Sequence, residues 1–161
     1  MSEIADLLAT AARVDAKTSG FNVRPRRRIA VVTCMDSRID VFSLFGLGLG
    51  DVHIIRNAGG RVTDDVLRSV ALSSKVLGVD SVVLMQHTGC GLEGTTNSEL
   101  RARTGADLDF LPIDDHAASL QEDAERLHGA SYLSTLTEVA GLLYDIDTGA
   151  VTQLYHWERQ H

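Results

Sequence analysis

The sequence has few of the residues that punctuate or cross-link a chain. Only Pro25 and Pro112 are prolines among 161 residues, and neither lies in a linker-like run. There is no internal repeat and no low-complexity tract. One domain over residues 1–161 is therefore expected, with residues 1–20 as an N-terminal helical arm. No apolar run approaches the roughly 18–20 residues of a membrane span, so no membrane partner is expected. Positive charge is also scarce. The formal net charge is -7 and the sequence pI is ≈ 5.2, which argues against nucleic acid as a partner. The one dense basic stretch, RPRRR at 24–28, stands just ahead of an apolar run and is read as its solvated entry. The opening MSEIADLLAT carries early acids and no basic region before an apolar run, so the expected location is cytoplasmic. Finally there are only two cysteines, Cys34 and Cys90. In a reducing compartment such a pair more often serves as ligands or nucleophiles than as a structural disulfide.

Apolar residues make up 44% of the chain and charged residues 23%, an ordinary globular mixture at a length that suits one full domain. Residues 3–17 place Ile4, Leu7, Leu8, Ala11, Ala12 and Val14 at near-helical spacing. Residues 18–27 are polar and irregular. Residues 29–33 form a continuous run rich in β-branched side chains, as in a strand buried on both faces, and 52–55 and 81–85 repeat that character. Between the latter two, residues 63–78 read as a helix: Thr63 caps it, Asp64 and Asp65 suit its positive end, and Gly78 ends it. Strand, helix and strand at this spacing predict a parallel βαβ unit. Helices are also expected over 92–103 and 114–128. At the end, two alternating runs flank Asp147-Thr148-Gly149, a hairpin pattern. The expected fold is α/β, with a mostly parallel sheet, flanking helices and an antiparallel C-terminal edge.

The chemistry lies at strand ends. Cys34 closes the first strand and is followed by Asp36, Ser37 and Arg38. His87 and Cys90 close a second strand in the stretch LMQHTGCG. Parallel strands carry their carboxyl ends to one edge, where ligands gather. If the two strands are neighbours, two sulfurs and an imidazole converge. Two thiolates and one histidine are donors that zinc favours, and three protein ligands leave a fourth position open. Buried inert thiols, a disulfide, and an ordinary Asp36–Arg38 ion pair remain the alternatives. GLGLGD at 46–51 is not read as a dinucleotide fingerprint, because a strand follows it where a helix is required.

Cys34-Met35-Asp36-Ser37-Arg38 together with His87-Thr88-Gly89-Cys90-Gly91 resembles the zinc motifs of the β-class carbonic anhydrases, and the stretch 53–65 resembles the segment between them. The resemblance implies one zinc ion per chain on Cys34, His87 and Cys90. It implies an Asp36–Arg38 dyad, in which the aspartate either pairs with the arginine or becomes a fourth ligand in an inactive state. Ser37, Asn57, Ala58, Gly59, Gly60 and Gly91 are the implied pocket. The implied reaction is reversible hydration of carbon dioxide to bicarbonate and a proton, by a homodimer or higher homo-oligomer. Many family members carry a glutamine upstream of the first cysteine and some a tryptophan. Here Arg24, Pro25 and Arg26 stand in that region, and the one tryptophan is Trp157. The donors do not discriminate carbon dioxide from carbonyl sulfide or carbon disulfide. A non-catalytic, zinc-stabilised assembly module is the reading from another class.

Two thiolates and a neutral His87 cancel the two positive charges of zinc. Water there is less acidic than at an all-histidine zinc, where its pKa is about 7. Hydration activity is therefore expected to rise through mildly alkaline pH in stopped-flow profiles; a plateau reached well below neutrality would contradict this.

Overall fold

The computed structural model describes residues 2–13 and 20–160. Its sheet is built from β1 (Ile29–Cys34), β2 (His53–Asn57), β3 (Ser81–His87), β4 (Glu138–Tyr144) and β5 (Val151–Glu158). The strand order is β2-β1-β3-β4-β5, with every neighbouring pair parallel except β4 with β5. The helices are α1 (Glu3–Ala11), α2 (Val41–Phe45), α3 (Asp64–Lys75), α4 (Asn97–Thr104) and α5 (His116–Gly129).

β1 runs down the middle of its half of the sheet, which explains its unbroken apolar character. Val32 faces the core built with Val66, Val70, Leu120 and Leu127 of α3 and α5. Val31 faces the opposite core, with Met85, Ile39, Val41 and Ile113. The chain leaves β1 to form β2 on one side, then crosses through α3 to form β3 on the other. The expected βαβ unit is thus present, and its two strands flank β1 rather than each other.

Caps set most helix limits. The Thr63 hydroxyl accepts from the Val66 N–H and starts α3, and the Asp115 carboxylate accepts from the Ala118 N–H and starts α5. α2 is bounded by Asp40 and by Gly46 in the left-handed region. The helix expected over 92–103 begins later, at Asn97. A capping box between Thr96 and Glu99 fixes that start, while Glu93 is tied to Ile113 in a β-bridge and cannot be helical. The first helix ends at Ala11, earlier than the expected span, with Ala12 as its C-cap; the part of that span at 14–17 lies outside the described residues. The closing hairpin turns where the Asp145 carboxylate accepts the N–H groups of Asp147 and Thr148.

Arg61 is the anchor behind the turn that follows β2. It is 2% exposed. Its Nε donates to Asp123 Oδ2 at 2.8 Å, its Nη2 to Glu122 Oε2 at 2.6 Å and its Nη1 to Leu111 O at 2.6 Å. Val62 N–H completes the buried carboxylate, reaching Asp123 Oδ1 at 3.0 Å. Burial pushes the Asp123 carboxyl upward, and Arg61 and the Val62 N–H offset this only in part, so the net shift is upward. Arg61 Nε and the Val62 N–H thus each take one oxygen of the buried carboxylate.

A buried pair is costly to break on one side only. Arg61→Met is expected to cost about 3–5 kcal/mol in urea unfolding, because Asp123 is left unpaired. Adding Asp123→Leu to that variant should recover part of the loss. A double variant less stable than Arg61→Met would contradict the pairing.

Candidate metal centre

β1 and β3 are paired in register, Thr33 opposite Met85. Their carboxyl ends therefore meet at one edge, where the strand order reverses across β1. Cys34 is the last residue of β1, His87 the last of β3, and Cys90 lies in the turn beyond it. Cys34 Sγ, Cys90 Sγ and a ring nitrogen of His87 lie within 4.8 Å of one another, and all three residues are buried. Both cysteines are free, their sulfurs 4.0 Å apart.

The glycine turn after β2 is what lets the edge close. A Cβ on Gly60 would stand 2.9 Å from Cys34 N, Thr33 C and Met85 O, all backbone atoms, and its φ is +66°. Only glycine fits there. From the same strand Arg56 braces the first loop. Its Nε donates to Cys34 O at 3.0 Å, its Nη1 to Ile39 O at 3.1 Å and its Nη2 to Asp36 O at 2.6 Å. Three carbonyls of the segment between Cys34 and Ile39 thus rest on one guanidinium.

His87 Nδ1 lies 2.9 Å from Thr88 O. A carbonyl can only accept, so Nδ1 carries the proton and Nε2 keeps its lone pair. That Nε2 is buried and has no hydrogen-bond partner. Cys90 hydrogen-bonds Cys34, and this contact pulls the Cys34 thiol down to about 4 against the opposing effect of burial; His87 and the N–H groups of Asp36 and Gly59 add to it. The same contact, then burial, pushes Cys90 up. Burial lowers His87, but the Cys34 thiolate, Thr88 O and Asp36 more than offset it, so the net shift is upward. An orphaned imidazole nitrogen, a thiolate and a thiol facing one point fit a soft divalent cation such as zinc.

Asp36 stands at the rim, its Oδ2 3.9 Å from His87 Nε2. Arg38 grips it: Nε and the backbone N–H both reach Oδ1 at 2.9 Å, and Nη2 reaches Oδ2 at 2.7 Å. These donors hold the Asp36 carboxyl well below the usual carboxylate range. Arg38 Nη2 also donates to Gly89 O at 3.1 Å, joining the loop after β1 to the loop after β3.

A cleft of about 380 Å³ opens on Cys34, Asp36 and Cys90, with Ala58, Leu92 and Phe110 as an apolar wall. Of the six residues expected as pocket, Ala58, Gly59 and Gly91 line this cleft. Gly60 packs against the backbone of β1, Asn57 donates to Arg61 O at 2.7 Å from a neighbouring cavity, and Ser37 is exposed. Phe110, Leu92 and Glu93 were not anticipated, and neither was Arg56 as a brace. An arginine within the apolar strand run 52–55 and its extension is the one signal that pointed to the brace. Phe110 reaches the cleft through tertiary packing that leaves no local pattern.

The family model for carbonic anhydrase matches residues 29–151. β-Carbonic anhydrase 1 of Mycobacterium tuberculosis is 32% identical over 146 residues, covering 84% of this chain and 90% of that one. A carbon disulfide hydrolase of Acidithiobacillus thiooxidans is 40% identical over 93 residues, 55% of this chain and 47% of that one. Among solved structures, carbonic anhydrase from Streptococcus mutans superposes with a TM-score of 0.85 at 40% identity, covering 96% of this chain and 99% of that one. The β-carbonic anhydrase of Trichomonas vaginalis gives 0.84 at 25% identity, covering 96% and 98%. A match across 29–151 takes in both strand ends that build the centre and the sheet that aligns them, and on that basis the chain belongs to the β-carbonic anhydrase family.

Proposed function

We propose that the protein catalyses the reversible hydration of carbon dioxide to bicarbonate and a proton, with one zinc ion per chain held by Cys34, His87 and Cys90. The observation that carries the assignment of ligands is the convergence of those three buried donors, with His87 Nε2 left without a partner. Zinc bound there supplies the Lewis acidity that makes water a nucleophile near neutral pH.

The chain's own residues supply orientation. An ionised carboxylate has about four acceptor positions. In Asp36, the Arg38 N–H and Nε occupy two on Oδ1, and Nη2 occupies one on Oδ2. One position is left, on the oxygen that faces His87 Nε2. Asp36 Oδ2 can therefore hold one O–H of the attacking water and aim its free lone pair along the cleft. The aspartate cannot do this while ligating the metal, so Arg38 keeps it in service. Ala58, Leu92 and Phe110 offer a dry wall to a linear apolar substrate.

In sequence the carbon disulfide hydrolase of Acidithiobacillus thiooxidans covers 55% of the chain and β-carbonic anhydrase 1 covers 84%; among solved structures a carbon disulfide hydrolase superposes less closely, with a TM-score of 0.65 against 0.85. Sulfur substrates are the second reading. A purely structural zinc would favour a fourth protein ligand, and Asp36 is instead committed to Arg38.

The decisive measurement is stopped-flow hydration on zinc-loaded protein, with carbonyl sulfide and carbon disulfide assayed alongside. Carbon dioxide hydration well above buffer is expected, and its absence would refute the assignment. Asp36→Asn is expected to lose at least about 100-fold in kcat/KM, the lower range for a positioned proton acceptor. Full turnover in that variant would remove Asp36 from the mechanism.

Our reading of the chain is one domain with an N-terminal arm, acting in the cytoplasm, where its free thiols stay reduced. Among the described residues no helix is long and apolar enough to cross a membrane. α1 buries none of its residues, and Ile4, Leu7 and Leu8 are 70%, 69% and 67% exposed. A groove along Val41, Phe42, Leu49 and Ile54 is likewise open and mostly apolar. Laying α1 of one copy on the groove of another would cover both surfaces in a homodimer or larger homo-oligomer. Sedimentation should show an oligomer that Leu7→Asp with Leu8→Asp shifts toward monomer; an unchanged distribution would overturn the arm's role.

A further inference from the structure

The peptide group between Gly89 and Cys90 is held from both ends by opposite charges. Its carbonyl oxygen accepts from Arg38 Nη2 at 3.1 Å. Its N–H, that of Cys90, donates to Glu93 Oε2 at 3.3 Å. The same carboxylate oxygen takes the preceding Gly89 N–H at 2.7 Å. One acid therefore gathers two successive amides of the loop that carries Cys90.

Glu93 is itself held in place. Its backbone N–H donates to Cys90 O at 3.0 Å, and Ile113 N–H donates to Leu92 O at 2.8 Å. A β-bridge joins Glu93 to Ile113. Its other carboxylate oxygen, Oε1, faces His116 Nε2 at 3.5 Å. His116 Nδ1 lies 2.8 Å from Oε1 of Gln86, which is fully buried beside His87 in β3. Contacts thus run from the neighbour of one candidate ligand, through His116 and Glu93, to the backbone of another. They continue through Arg38 to Asp36.

Satisfying these two amides does not by itself require a carboxylate. Gly89 is exposed, so water could serve its N–H. A fixed negative charge does what water cannot: it polarises the peptide whose carbonyl binds Arg38, and it gives the loop one position. We propose that Glu93 is a positioning residue of the metal centre, holding the Gly89–Cys90 peptide so that Cys90 Sγ stays in place opposite Cys34 and His87 and Arg38 stays on Asp36. This rests on the reading of Cys34, His87 and Cys90 as metal ligands.

The test compares full-length wild type with Glu93→Ala and Glu93→Gln. Zinc affinity is measured by competition with a chromophoric chelator, the visible spectrum is recorded after cobalt(II) substitution, and melting is followed in the metal-free proteins. Glu93→Ala is expected to weaken zinc binding by about 10–100-fold, the usual loss when an outer partner of a ligand is removed. Its cobalt bands should shift, while metal-free melting changes little. Glu93→Gln keeps an acceptor oxygen and should show a smaller loss in the same direction; it carries the test alone if the alanine variant does not fold. Wild-type affinity and cobalt spectrum in both variants would overturn the proposal. So would a loss of affinity matched by lower metal-free melting with an unchanged cobalt spectrum, since that is a purely structural role. Failure of wild type itself to bind zinc one to one would instead overturn the ligand assignment, and is told apart because it appears before any substitution.

Discussion

Thr33 stands opposite Met85 in the parallel pairing of β1 with β3, and the position of every candidate ligand follows from that register. Side chains alternate between the two faces of a strand, so a slip of one residue would turn β1's core side chains to the wrong faces and shift Cys34 out of line with His87. The register is held by burial on both sides. Val32 and Leu84 sit in one core, Val31 and Met85 in the other, and a slip of β1 would exchange the faces of Val31 and Val32. Gly60 adds a steric lock, because only a residue without Cβ lets the turn after β2 rest on the backbone at Thr33 and Cys34. Arg61 fixes that turn from behind through Asp123 of α5. The sheet, the glycine and the buried ion pair are thus parts of one device that brings two loops together.

Charge is the second constraint, and it explains why these loops carry arginines that never reach the sulfurs. Arg56 gives its N–H groups to the carbonyls of Cys34, Asp36 and Ile39, and Arg38 gives its own to Asp36 and Gly89. The sulfurs are left to stabilise each other. Cys34 is held down near 4 by Cys90, whose own proton is retained. A buried centre with a thiolate, a thiol and an imidazole lone pair is incomplete electrostatically. A divalent cation held by these three residues would complete it by displacing the remaining proton, which would couple metal uptake to proton release. Had either arginine reached the sulfurs, part of the negative charge that attracts the cation would already be neutralised.

The sequence made the sheet and the candidate ligands legible for different reasons. β1 and β3 were visible because strands buried on both faces need continuous apolar residues, and α3 because Thr63, Asp64 and Asp65 mark its start. Cys34, His87 and Cys90 stood out because two lone cysteines at two strand ends are unusual without shared work. The late start of α4 escaped notice because its capping box begins at Thr96, and the apolar and charged residues before it imitate a helix period. The positions of Arg56, Phe110 and Glu93 escaped for a deeper reason. Each acts on a segment brought close by the fold: Arg56 on the β1 loop 17 to 22 residues away, Phe110 on a cleft between two other loops, and Glu93 on amides whose importance depends on Arg38, 51 residues from Gly89. Local propensity carries no trace of such contacts.

Asp36 shows what this cross-strand arrangement achieves. The carboxylate lies 3.9 Å from His87 Nε2, so on the proposed mechanism little movement would separate a proton-holding position from direct ligation. What holds it off is Arg38, whose side chain is 52% exposed and gains its second anchor from Gly89 O. An exposed arginine is a weak restraint by itself, because water competes for both partners and side-chain entropy opposes the fixed geometry. Anchoring it on the loop after β3 changes the problem. Moving that loop now displaces Cys90 and releases Asp36 together, because one peptide group serves both. Integrity of the centre and readiness of the acid become a single mechanical property of residues 88–93, set by how firmly that short turn is tied down.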